Sequence, residues 1–169
     1  MTRASLLLLT AALALSSVAL SGCPGDDDGG NGGSCQDYTP PTTFDAQTPA
    51  VSFARDVMPI FGKSCGFSTC HGSTSGDANG VFLGGQDAAR VHGGLVGVAS
   101  TRLPAMSLVK AGDPRESFLL RKMDASHCTL DAQCERGSCG DSMPRNEPVL
   151  SVETRDVVRR WIAQGAKND

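Results

Sequence analysis

Aromatic residues are scarce in this 169-residue chain, which has one Trp, one Tyr and six Phe beside 20 glycines. Such a chain has little apolar surface to set against its conformational entropy, so its core calls for staples such as disulfides or a covalently held group. Positive charge is not in excess either, with 15 basic residues against 18 acidic. That balance argues against a nucleic-acid partner and against attraction to anionic lipid by charge. The sequence contains no P-loop, dinucleotide fingerprint, G-x-S-x-G elbow or H-E-x-x-H helix, and so carries no nucleotide, esterase or metalloprotease signature. Its scattered Asp and Glu residues read as solvated surface.

The first notable feature is the N-terminus. A single charged residue, Arg3, precedes an apolar run over residues 6–20, which has the length of an export signal and falls slightly short of a spanning helix. The run ends at Leu20-Ser21-Gly22-Cys23, which resembles a bacterial lipobox. The resemblance implies a signal peptide over 1–22, cleavage before Cys23 and lipid on its thiol, placing the protein in the cell envelope, facing the periplasm. Pro24 follows Cys23 where an Asp would argue for inner-membrane retention, so the choice of membrane stays open. Cleavage removes Arg3 and leaves fourteen basic against eighteen acidic residues, a net charge of −4.

Residues 23–50 are rich in Gly, Asp, Thr and Pro and include Asp26-Asp27-Asp28. This composition predicts a flexible tether with a reach on the order of 25–30 Å, shorter if Cys35 bridges back to the domain. One folded unit is expected over 51–169. With Cys23 acylated, six cysteines remain: Cys35, Cys65, Cys70, Cys128, Cys134 and Cys139. In an oxidising compartment all six should be committed. Three disulfides satisfy the count, and so do two disulfides plus two thioethers to a cofactor.

Along the folded part, Ser52 is placed to cap a helix whose Phe53, Val57, Ile60 and Phe61 share one face, with Pro59 kinking it or starting a second helix. It leads into Cys65-Gly66-Phe67-Ser68-Thr69-Cys70-His71-Gly72. Two thiols with an adjacent imidazole can hold a haem and ligate its iron, the familiar spacing being C-x-x-C-H. Here it is C-x4-C-H, which a Cys65–Cys70 disulfide preceding a histidine would also explain. A Gly/Ser-rich loop follows, then one or two helical turns near 86–91. Extended or irregular apolar segments are expected at 95–98 and 107–109. Asp113, Pro114 and Glu116 read as a capping box for a helix running to about Met123. Cys128, Cys134 and Cys139 lie in a loop whose composition favours bridging over regular structure. Ser151 caps a last helix carrying Val157, Val158, Trp161 and Ile162 on one stripe, with Gly165 as its stop. The class is all-α, with three or more helices and long loops.

The order of a first helix, C-x4-C-H, a middle helix, Met143-Pro144 and a final helix bearing Trp161-Ile162-Ala163-Gln164-Gly165-Ala166 resembles class I cytochrome c domains over roughly residues 52–166. The resemblance implies a small cytochrome c-like domain whose terminal helices pack crosswise around haem c. Cys65 and Cys70 would form the haem thioethers, while His71 and Met143 would be the axial iron ligands, with Met106 second in line. The function implied is that of a lipid-anchored single-electron carrier serving redox partners in the envelope, a carrier more than a catalyst.

Under this reading Cys35, Cys128, Cys134 and Cys139 form two disulfides, in one of three pairings. His127 with Cys128, Cys134 and Cys139 matches no ordinary zinc spacing, and His92 and His127 read as solvated loop residues. Two other functions stay open. One is a haem-free envelope lipoprotein with three disulfides, serving as a binding or structural module. The other is a haem enzyme with an open distal position.

Overall fold

The computed structural model describes residues 35–73 and 79–169. The expected signal peptide, Cys23 and the first part of the tether lie outside the described residues. Four short helices carry the fold: α1 (Met58–Ser64), α2 (Ala88–Gly93), α3 (Phe118–Met123) and α4 (Val152–Ala163). A π-helical turn, Phe53–Val57, leads into α1, and two 3₁₀ segments, His127–Gln133 and Glu135–Gly137, follow α3. The described residues form no strand, only the isolated bridges Val96–Val109, Ala99–Ser107 and Ser107–Ser117. No helix among them is long and apolar enough to cross a membrane.

The ends of the helices follow from local chemistry. Ser52 Oγ accepts from the Arg55 N–H at 3.3 Å, and the Asp56 carboxylate returns to the Ser52 N–H at 2.8 Å. Pro59 sits in the first turn of α1, where its missing N–H costs no helical bond. At the other end Ser151 Oγ caps α4 through the Thr154 N–H. The capping-box expectation needs correction, because α3 starts at Phe118 and Asp113–Glu116 form only a turn. Asp113 does accept from the Glu116 N–H at 3.2 Å. Ser117, however, has an extended backbone and is fully buried, donating to the Asp113 carbonyl and accepting from the Lys110 N–H. These bonds interrupt the helix before it can begin.

Three of the eight aromatics meet where the first helical segment packs against the last. Phe53 stacks on Trp161 with centroids 4.8 Å apart, Phe61 meets Phe53 edge-on at 6.3 Å, and none of the three is exposed to solvent. Each such side chain contributes roughly 2–3 kcal/mol through burial alone. Val158 and Ile162 continue the buried stripe of α4. The Trp161 indole donates to the Lys167 carbonyl, and the Asp169 carboxylate and carbonyl accept from the N–H groups of Phe53 and Ala54. The chain after α4 thus caps the helix that α4 packs against.

Residues 35–50, assigned by composition to the tether, are strapped to this body. Cys35 is bonded to Cys128, and Asp37 pairs with Arg121. Tyr38 lies under the guanidiniums of Arg155 and Arg159, at 4.6 and 4.5 Å from its ring centroid, and Phe44 lies under that of Arg160 at 4.8 Å. Beneath the strap, buried Asp124 pairs with both Arg155 and Arg159, and Arg159 also bonds Asp156. Asp124 and Asp156 are therefore not solvated surface. Their charge is held inside by fork-shaped donors that match a carboxylate.

Candidate functional site

The segment after α1 folds back on itself. Phe61 O accepts from the N–H groups of both Cys65 and Gly66, at 2.8 and 2.7 Å, which ends the helix. The Phe67 carbonyl then accepts from Cys70 and Gly72, each at 2.8 Å, and the Cys65 carbonyl from the His71 N–H at 3.1 Å. These bonds close residues 65–72 into a ring whose outer members, Ser68 and Thr69, are exposed. Phe67 is 53% exposed.

A second segment holds this ring in place. The Leu83 N–H donates to the His71 carbonyl at 2.7 Å, and the His71 imidazole is bound through Nδ1 to the Val81 carbonyl at 3.1 Å. A carbonyl only accepts, so Nδ1 carries the donated proton, which in the neutral ring leaves the lone pair on Nε2. Nε2 has no hydrogen-bond partner among the described residues. Ligating histidines commonly have this arrangement, with one nitrogen fixed by a backbone acceptor and the other free for a metal.

Cys65 and Cys70 are both free thiols, the first buried and the second exposed. Burial pushes the Cys65 thiol up to about 11, and the neighbouring Cys70 adds to the shift. The other four described cysteines are paired as Cys35–Cys128 and Cys134–Cys139, which selects one of the three pairings that counting left open. Two free thiols, an oriented imidazole and an adjacent apolar core make a donor set of the kind that covalent haem requires.

Met143 lies elsewhere on the chain. It is half-buried, and its N–H donates to the Lys122 carbonyl at the end of α3. Met106 is buried in the loop preceding α3, its N–H bonded to Leu103 O. The two remaining histidines depart from expectation. His92 belongs to α2, donates through Nε2 to Ala166 O at 2.7 Å and packs edge-on against Phe53 at 5.3 Å. His127 is only 6% exposed, and burial together with Lys122 holds its pKa below the usual imidazole value. Among the described residues no group of three or more His, Cys, Asp or Glu is placed to hold a metal ion.

Comparison with protein-family models, with characterised proteins and with solved structures found no match. The site therefore has to be read from its own chemistry. Sequence reasoning missed Val81 and Leu83 because their contribution is a backbone carbonyl and a backbone N–H. The Gly-rich run around them was the one available signal. A surface groove of about 630 Å³ lies between the strap and α3, lined by Tyr38, Phe44, Arg121, Asp124 and Arg159. None of the expected ligands borders it.

Proposed function

We propose that this chain is a c-type cytochrome domain, a small all-α cytochrome c-like unit that carries single electrons. Cys65 and Cys70 would hold haem c by thioether bonds, and His71 and Met143 would be its axial ligands. Lipid on Cys23 would anchor the domain on the periplasmic side of the envelope, where redox proteins are its partners. The observation that supports this most is the His71 imidazole, held through Nδ1 by the Val81 carbonyl and with no partner for Nε2 among the described residues.

Haem bound there supplies a one-electron couple, with a potential tuned by its axial ligands and by burial. The Val81 carbonyl holds the imidazole in one orientation and raises its basicity as a ligand. The Cys65 side chain fixes one attachment point within the core, while Cys70 offers the other from the surface. The neighbouring apolar residues, Phe61 and Leu83, are buried and keep water from that side.

A second reading rests on one observation. The Cys65 thiol is itself part of the core, only 7% exposed, as an inert structural cysteine would be. In that case the chain is a haem-free lipoprotein acting as a binding or structural module.

Export of the full chain in a host able to attach haem c separates the two. The mature protein is expected to be heavier by one haem than the equally processed Cys65→Ser/Cys70→Ser variant and to keep a covalent haem stain in denaturing gels that the variant lacks. A mature protein without the added haem mass, with Cys65 and Cys70 bonded to each other, would overturn the cytochrome reading.

A further inference from the structure

The haem reading meets its hardest requirement at the spacer, because two vinyl groups have a fixed separation and four residues intervene where two would make a compact turn. The ring of residues 65–72 shows how the spacing is absorbed. Its ends are drawn together by the bond from the His71 N–H to the Cys65 carbonyl, at 3.1 Å, while Ser68 and Thr69 loop into solvent. The same drawing-in forces the ring against residues 81–84 at a separation that no side chain permits.

A Cβ on Gly72 would collide with the Gly66 carbonyl and lie 2.7 Å from the Phe67 carbonyl carbon. One on Gly84 would lie 2.6 Å from the Gly72 Cα, and one on Gly66 would lie 2.8 Å from the Leu83 carbonyl oxygen. All of these obstacles are backbone atoms, which cannot swing aside as a side-chain tip can. The contact also allows residues 81–83 to grip His71 twice, at its carbonyl from the Leu83 N–H and at its ring through the Val81 carbonyl.

From this geometry we propose that the Gly72–Gly84 backbone contact is a clasp that lets a four-residue spacer present Cys65, Cys70 and His71 to one haem. Gly72 and Gly84 are positioning residues, since neither carries a group that touches the cofactor. The inference rests on the haem reading for its purpose, but its geometric content can be tested without haem.

The first measurement uses the haem-free full chain with both disulfides intact and Cys65 and Cys70 as free thiols, and a short bis-electrophile that bridges two nearby thiols, read by peptide mass. Gly84→Ala is expected to slow bridging of Cys65 to Cys70 at least tenfold, with single alkylation of exposed Cys70 unchanged. Gly66→Ala, whose closest obstacle is the Leu83 carbonyl oxygen at 2.8 Å with the Gly84 Cα and the Phe61 carbonyl oxygen each at 3.3 Å, is the milder variant and should show a smaller loss. Both variants are checked for the Cys35–Cys128 and Cys134–Cys139 bonds. Bridging within twofold of the parent chain in variants that keep both bonds would overturn the clasp.

Deleting Ser68 and Thr69 in the Gly84→Ala background provides the readout that a general folding defect would not give. A two-residue spacer needs no clasp, so bridging and haem loading should return. Failure of the shortened spacer to restore bridging would overturn the proposal. The parent chain supplies a check free of substitutions, since the amide protons of His71 and Leu83 should be protected from exchange, and open-chain exchange rates would overturn it too. A parent chain that bridges rapidly yet takes up no haem leaves the clasp standing and removes the haem reading.

Discussion

The Lys122 ammonium donates to the Cys139 carbonyl at 2.8 Å, which places a buried cation behind the Cys134–Cys139 bridge. Burial is the main reason its pKa falls from 10.5 to about 8, with Arg102 pushing the same way and Asp141 and Asp131 opposing. Between those two values the unfolded chain still holds the proton that the folded chain has released, so Lys122 makes stability rise with pH. Its share is on the order of 3 kcal/mol at 1.36 kcal/mol per unit. Denaturation midpoints from pH 7 to 10.5 should lose this rising contribution in Lys122→Met.

Cys65 has the opposite sign in nearly the same range. Its thiol keeps the proton up to about 11 in the folded chain against an ordinary value of 9.0. The stability this contributes is complete below pH 9 and is lost as pH rises toward 11. Cys65→Ser should flatten that loss in the haem-free chain. In haem-loaded protein the sulfur has no proton to lose, so the parent and its alkaline curve should already resemble the serine variant.

Asp124 is the shared partner of Arg155 and Arg159, and all three side chains are at most 7% exposed. Asp124→Ala leaves two buried guanidiniums with less compensation and should cost about 3–5 kcal/mol in equilibrium unfolding. Replacement of the exposed Arg55, which pairs with the half-buried Asp56, should change stability by less than about 1 kcal/mol.

The strap makes a prediction of its own. Cys35–Cys128 joins residues 93 apart, and in the chain-entropy account closing a loop of that size contributes about 4.6 kcal/mol. Cys35→Ser/Cys128→Ser should lower the unfolding free energy by an amount of that order. It should also make the backbone at 36–44 cleavable under limited proteolysis, which peptide mapping would detect.

The terminal helices were readable because their apolar residues recur at helical spacing, and the packing of Phe53 on Trp161 rewards that pattern directly. The start of α3 was misread because the capping pattern at Asp113 is local, whereas the buried hydroxyl of Ser117 is bonded to Lys110 and Asp113 by the tertiary fold. The strap was hidden for a similar reason. A Thr/Pro-rich composition describes residues 35–50 well, yet Tyr38 and Phe44 find guanidiniums more than a hundred positions away. In the candidate site, the thiols and imidazole were visible as residue types. The groups that orient them, a carbonyl at Val81 and bare backbone at Gly72 and Gly84, have no side chain to read.

The Cys35–Cys128 bond also turns the stretch between those residues into a covalent circle containing Cys65, Cys70 and His71. One cut by a protease anywhere in that circle opens it without separating the pieces, and the nicked protein gains only the mass of one water and keeps its connection to the N-terminal segment until a reductant acts. Damage that would release a domain on a simple leash leaves this one attached.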